Sequence, residues 1–389
     1  LKVLDAASMQ RWNDKIRPVE LRELDKQAHK MIIAYFLGKF EEDTTGFSWL
    51  EIIEGGFFEF LERLVLTDLK PQVLERIRQD SEKYRKLNEW VLNRLSTFML
   101  PLETGFEERF RSYFLGNTGG INRRILAAAH LYATRWEFDI IDRSNPQGYE
   151  MPAIRTTLQD RLEQYHDLSG IQQLALFQKY RNFIDLCGQL RFQLRWGHVN
   201  MVPRISVLGH MLIVAMVSFL FSLRIGACAR RSVNNYFTGL FHDLPEVLTR
   251  DIISPVKRSV EGLEELIKGY EKEQMEKEVF SLIPHWLRRD MEIYTQNEFS
   301  DIVTVEGEVL TVTPEEISRS YNGDTFNPRD GTLVKAVDDL AAFVEAYNAI
   351  DNGVKSRDLK EAERSIRAKY QDTQRAGINF GRIYREFEL

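Results

Sequence analysis

Apolar residues recur at three- and four-residue spacing along most of this 389-residue chain. "LDKQAHKMIIAYFLGKFEE", "FSWLEIIEGGFFEFLERLVLTDL", "PQVLERIRQDSEKYRKLNEWVLNRL" and "LEELIKGYEKEQMEKEVFSLI" all carry that period. It is the signature of helices that turn one face to a core. Strand-like alternation is nearly absent. The one good hairpin signal is "DIVTVEGEVLTVT", Asp301–Thr313, β-branched around a Glu-Gly turn. The predicted fold class is all-α with one small β-hairpin insertion. Turn residues cluster at Asp142–Pro152 and at Ser320–Gly331, and the first cluster predicts a boundary between two halves. The charged stretch "DLKEAERSIRAKYQ" reads as a solvated helix near the C-terminus.

Composition narrows the function classes. Apolar residues make up 43% of the chain, enough for a sizeable core, and the net charge is −6. That balance argues against broad nucleic-acid binding, which needs a surplus of Lys and Arg. A local basic pocket for one phosphate stays open. Cys187 and Cys228 are too few for a disulfide framework and are expected as buried, reduced thiols. "LKVLDAASMQRWNDK" shows no basic-then-apolar signal pattern, so a cytoplasmic protein is expected. The most hydrophobic run, Val207–Leu223, is 17 residues long and carries His210 near one end. It sits at the short limit for crossing a bilayer, and a buried core helix with no membrane contact is expected.

The chemistry concentrates in "FHDLPEVLTRDIISPVK", Phe241–Lys257. His242 and Asp243 are adjacent, so both reach one metal only where a helix ends or bends. Pro245 favours such a bend, because it disfavours the α conformation at Leu244. Glu246 follows Asp243 by about one helical turn. "SPVK" reads as a helix start, with Ser254 as N-cap, Pro255 in the first turn and Lys257 close to amides that suit a phosphate. A second His-Asp dipeptide, His166-Asp167, lacks this company. What distinguishes the first pair is His210 on the apolar helix upstream and Asp338 downstream, in "LVKAVDDLAAFVEAYNAI". Asp338 lies on a mostly apolar helix face, where a carboxylate is costly unless paired or metal-bound. Two imidazoles and two carboxylates form an N/O set for one divalent ion such as Mn, Co, Fe, Ni or Zn. Such an ion supports hydrolysis by acidifying water and polarising a phosphoryl oxygen.

The order H…HD…D resembles the HD-domain metal-dependent phosphohydrolases. Within them it is most similar to the YfbR-like 5′-nucleotidase branch, which acts on deoxyribonucleoside monophosphates. Arg195-Trp196 ahead of His210, "HDLPEVLTRDIISPVK", and "VKAVDDLAAFVEA" carry the resemblance, over Arg195 to about Ile350. It implies metal binding by His210, His242, Asp243 and Asp338, with Mg added to the ions that could serve. It also implies catalytic work by Glu246 and Asp251, and substrate contacts by Arg195, Trp196 and Lys257. The implied partner is a small phosphorylated substrate, probed first among nucleotides, and a homodimer is left open. Gly209 stands before the first metal histidine, where the branch leads one to expect Glu. A long insertion separates the His-Asp pair from Asp338. Both leave open a triphosphate, cyclic-nucleotide or alarmone substrate, or a metal-bearing scaffold or sensor that hydrolyses nothing.

The first 140 residues echo the same order in weakened form. Arg11-Trp12, His29 on an apolar helix, "LVLTDLKP" with Asp68, and "RILAAAHLYATRWEF" follow one another as their counterparts do downstream. Matching the last helices places Ala129 opposite Asp338, with His130 one position on, so His29 is the one ligand retained. The expected organisation is a degenerate HD-like domain at 1–145 without a complete metal site and a helical connector at 146–190. An active HD domain at 191–355 and a helical tail at 356–389 complete it. The first copy is expected to serve as an internal structural partner; a regulatory nucleotide site on Arg11 and Trp12 is the alternative.

Overall fold

The computed structural model describes residues 2–67, 69–99, 105–116, 119–250 and 260–387. The first half contains α1 (Glu23–Lys39), α2 (Trp49–Leu66), α3 (Pro71–Gln79), α4 (Ser81–Met99), α5 (Phe106–Leu115) and α6 (Ile121–Ser144). Next come α7 (Met151–Glu163), α8 (Ser169–Leu176) and α9 (Gln178–Gln189). The second half holds α10 (Val207–Arg224), α11 (Ala229–Phe241), the short α12 (Glu246–Thr249), α13 (Leu263–Gln274) and α14 (His285–Thr295). After the hairpin come α15 (Gly331–Asp351), α16 (Arg357–Tyr370) and α17 (Phe380–Arg385). The all-α expectation holds.

In each half one helix is the hub. α1 packs on α2 and α6, α10 packs on α11 and α15, and α1 and α10 pack on each other. Both hubs are buried along nearly their whole length. A helix contacted from all sides needs no amphipathic stripe, which is why α10 is apolar all round. Among the described residues α10 alone is long and apolar enough to cross a membrane, yet 72% of it is buried inside the protein. One continuous apolar cluster takes in Ile32 of α1, Leu126 of α6, Val214 of α10, Phe237 of α11 and Val337 of α15. The Asp142–Pro152 turn therefore divides the chain without dividing the core.

The hub helices touch where Gly209 faces α1. A Cβ at Gly209 would come within 2.9 Å of Leu24 Cδ2 and 3.1 Å of Asp25 Oδ1. The side chain expected there by resemblance has no room, because α1 occupies the space. Ser206 Oγ donates to Asp25 Oδ1 at 2.5 Å across the same contact.

The hairpin is present, with β1 (Ile302–Val305) antiparallel to β2 (Glu308–Thr311). Glu306 and Gly307 both have positive φ, as the tight right-twisted turn requires. A second, two-residue pairing of Gln374–Arg375 with Ile378–Asn379 was not signalled by the sequence. The charged tail helix is also less solvated than its composition suggests. It buries Leu359 and Tyr370, and the Tyr370 hydroxyl donates to Asp339 of α15 at 2.7 Å. Both cysteines are free, Cys187 buried and Cys228 half-buried.

The two halves repeat backbone details. Gln10 bridges Arg22, and Leu194 bridges Ser206. Arg11 N–H donates to the Leu21 carbonyl, and Arg195 N–H to that of Ile205. Trp12 and Trp196 share an unusual positive φ, 54° and 57°. Arg22 and Ser206 then stand as the N-caps of α1 and α10. Counting from these caps, the counterpart of His210 is Lys26, not His29. The sequence comparison was out by one helical turn. In the next helices Gly56 lies against Met31 of α1 and Gly239 against Ala215 of α10. Thr67 and Arg250 both have positive φ eleven residues after those glycines. Glu59 is therefore the counterpart of His242, Phe60 of Asp243, and Arg63 of Glu246.

Candidate metal centre and its altered copy

Three elements bring the candidate ligands of the second half together. Ser206 caps α10 by accepting from Gly209 N–H at 2.9 Å, which fixes His210 in the first turn. α11 ends at Phe241, and Pro245 interrupts its hydrogen-bond ladder because it has no N–H to donate. The chain continues in tighter steps, Leu244 N–H to the Phe241 carbonyl at 2.9 Å and Glu246 N–H to that of Asp243 at 3.0 Å. The first half has Glu62 where Pro245 stands, and there α2 runs on unbroken to Leu66. The proline bend presents His242 and Asp243 on one side. Asp338 comes from α15.

His210 Nε2 lies 2.9 Å from Asp338 Oδ1. His242 Nε2 is 3.2 Å from Asp243 Oδ2 and 3.9 Å from Asp338 Oδ1, and Asp243 Oδ2 is 3.9 Å from His210 Nε2. All four ligands proposed from the sequence thus meet in one place. Ligand atoms of His210, His242 and Asp338 lie within 4.8 Å of one another. His242 Nε2 is buried without a hydrogen-bond partner, while its Nδ1 meets the Gly239 carbonyl at 2.9 Å. A buried ring nitrogen aimed among carboxylates, with its other nitrogen already engaged, fits a divalent ion.

Glu345 is the residue that sequence reasoning missed. It is fully buried two turns after Asp338 on α15 and receives three donors. His210 Nδ1 bonds Oε1 at 2.7 Å. Trp196 Nε1 and Arg195 Nε donate to Oε2 at 2.9 and 3.2 Å. Holding Nδ1 leaves Nε2 of His210 as the ligating nitrogen. The signal was available, a carboxylate seven residues from Asp338 on the same apolar helix face. Burial and Arg195 depress the His210 imidazolium, but Glu345 and Asp338 outweigh them and raise it to about 9. Burial pushes Asp243 and Glu345 upward. His242 in the first case, and Arg195 with His210 in the second, bring each down to about 2. Arg195 also lies 3.6 Å from Asp243, and Trp196 packs beside Met201 and Ala346. Glu246 is buried one turn beyond Asp243. Asp251, Lys257 and the Ser254-Pro255 helix start lie outside the described residues.

Residues 187–367 match the family model described as HD domain.

The match covers a little under half of the chain, from the end of α9 into α16, and contains every ligand of the candidate centre. No curated protein matches the chain. The HD-domain match and the His-Asp cluster together point to a metal-dependent hydrolase. The other dipeptide, His166-Asp167, lies on the surface away from this centre, with Asp167 paired to Arg124 at 2.6 Å.

The first half, outside the HD-domain match, holds a matching arrangement of contacts with different side chains. Glu137 takes the place of Glu345. Arg11 Nε and Trp12 Nε1 donate to its Oε2 at 2.8 and 2.9 Å. Its Oε1, which corresponds to the histidine-bound oxygen of Glu345, receives Arg191 at 2.9 Å. Counting back from Glu137 makes His130 the counterpart of Asp338, one position from the sequence alignment. His29 faces elsewhere, with Nε2 2.9 Å from the Ile184 carbonyl and Trp136 edge-on. Burial and Arg191 hold its imidazole down at about 3. The first copy therefore retains none of the four ligands in place, rather than one.

Proposed function

We propose that the second copy, residues 191–355, hydrolyses a nucleotide or related small phosphomonoester in the manner of a 5′-nucleotidase. The observation that carries this is the convergence of His210, His242 and Asp338, with Asp243 beside them. A bound divalent ion would polarise a phosphoryl oxygen and acidify water. His210, His242, Asp243 and Asp338 would hold that ion. Glu345 keeps His210 in the ligating tautomer. Glu246, a turn beyond Asp243, serves as the proton-handling carboxylate, with Asp251 as its partner in acid–base work. Arg195, anchored by Glu345, offers its guanidinium to the phosphate, Trp196 shapes the pocket wall, and Lys257 makes a second phosphate contact.

The test is phosphate release by the purified full chain from nucleoside monophosphates, nucleoside triphosphates and other phosphorylated metabolites. Each is assayed with Mn, Co, Ni, Zn and Mg, beside Asp243→Ala. Metal-dependent release from monophosphates, lost in the variant, is the expected result. Release from triphosphates alone would replace the monophosphate reading. No release with any metal, or equal release by the variant, would remove the hydrolase reading.

A further inference from the structure

The first half has not simply lost its ligands; it places a cation, Lys26, at the position of His210 and another, Arg63, at that of Glu246. Lys26 Nζ meets His130 Nδ1 at 2.5 Å, and its counterpart contact is that of His210 Nε2 with Asp338 Oδ1 at 2.9 Å. A tethered ammonium thus engages the residue that replaces a metal ligand. The neighbouring cations have carboxylate partners. Lys30 pairs with Glu59 at 2.6 Å, Arg63 with Glu23 at 3.3 Å, and Arg11 with both Glu23 and Glu137 at 2.8 Å. Among the described residues Lys26 has no carboxylate partner, although it is fully buried.

The formal charges of the two copies differ in a directed way. The positions of His210, His242, Asp243, Glu246 and Asp338 carry three carboxylates and no fixed cation. Their counterparts Lys26, Glu59, Phe60, Arg63 and His130 carry two cations and one carboxylate. A divalent ion would still leave the first set one charge negative, whereas the second is one charge positive without any metal. Flanking Glu23, Lys30, Glu62 and Arg78 cancel one another and leave that balance unchanged. Burial, with Arg11 and Lys30 nearby, pushes the Lys26 ammonium well below its ordinary value. Glu23 and Glu137 oppose that shift from a distance, without a direct contact to Lys26 among the described residues. His130 is exposed, so the imidazole that covers the ammonium faces solvent.

We propose that this pocket is a second, metal-independent binding site for a phosphate-bearing ligand, in which Lys26 supplies the positive charge that a metal supplies in the other copy. A phosphate entering over His130 meets Lys26 and Arg63, gives the buried ammonium its missing partner, and requires no hydrolysis.

The probes are inorganic phosphate and a nucleoside monophosphate, titrated calorimetrically into chelator-treated full-length protein. The expected result is one site per chain in the wild type, unchanged in Asp243→Ala and weakened at least about tenfold in Lys26→Met. A response to the nucleotide but not to phosphate would show that the ligand's base or sugar is also read, and would support the site. A far-UV circular dichroism spectrum and urea midpoint close to those of the wild type confirm the fold of Lys26→Met. If that variant does not fold, Arg63→Gln is expected to weaken binding in its place. No binding of either probe to metal-free wild type, or full-strength binding by a folded Lys26→Met, would overturn the proposal. So would full-strength binding by Arg63→Gln where it stands in. Because these titrations exclude metal, their outcome is independent of whether the second copy hydrolyses anything.

Discussion

Glu137 and Glu345 occupy matching turns of α6 and α15, and each binds an Arg-Trp pair whose tryptophan is held at positive φ. Their third donors part company, Arg191 on Glu137 and His210 on Glu345. The buried carboxylate and its Arg-Trp clamp thus belong to the scaffold, since they persist where no metal ligand does. The imidazole, the proline bend and the aspartates belong to the chemistry. A clamp seen in both copies cannot by itself identify an active site.

The largest difference expected between the copies is catalytic. His242→Ala should lower kcat/KM at least about a thousandfold, on the order of 4 kcal/mol of transition-state stabilisation. Glu59→Gln, at the counterpart position, should leave the rate within about twofold in steady-state assays. Equal losses would mean that the first copy takes part in the reaction.

The glycines separate the copies by what opposes them. A Cβ at Gly239 would come within 2.7 Å of the Ala215 backbone, whereas at Gly56 it would press on the end of the flexible Met31 side chain. Gly239→Ala should cost about 3 kcal/mol in urea unfolding and Gly56→Ala about 1 kcal/mol. A larger cost at Gly56 would place the tighter helix contact in the altered copy.

Position 62 offers a pH-resolved comparison, because Pro245 opposite it cannot titrate. Burial raises the Glu62 carboxyl from 4.5 to about 7, above its unfolded value. The folded protein then keeps a proton that the unfolded chain loses, so stability falls as pH rises from 4.5 through 7. Glu62→Gln should stabilise the protein by somewhat under about 3 kcal/mol at pH 8 and by nothing near pH 4, read from denaturation at each pH. A pH-independent effect would show that the carboxyl is ionised throughout.

The smallest contrast concerns orientation. Glu345→Gln should weaken metal binding about tenfold or somewhat more by competition titration, in the manner of outer-shell partners of ligating histidines. Glu137→Gln should leave metal affinity unchanged. An effect of both would mean that the two hubs transmit strain to each other.

The candidate metal centre was readable because its residues declare themselves: adjacent His and Asp before a proline, and an aspartate on an apolar helix. The repeat was readable in order but not in register. His29 resembles His210 in type and setting, and nothing about Lys26 in sequence suggests a metal ligand's place. The Gln10–Arg22 and Leu194–Ser206 bridges, with the helix caps that follow them, fix the count. Glu345 escaped notice because a lone glutamate on a helix looks solvated until its three donors are placed. The two-residue strands near Arg375 turn through Ala376 and Gly377, with no Asn or Asp to mark them.

Asp25 and Gly209 are counterparts that face each other across the junction of α1 and α10. In a dimer of identical chains every substitution at such a junction is made twice, so an aspartate would face an aspartate and a glycine a glycine, and an Asp–Gly pair could not arise. Joining the copies in one chain frees each side to change alone. Bulk on one face is then answered by its absence on the other, and the contact between the two hubs becomes a keyed one.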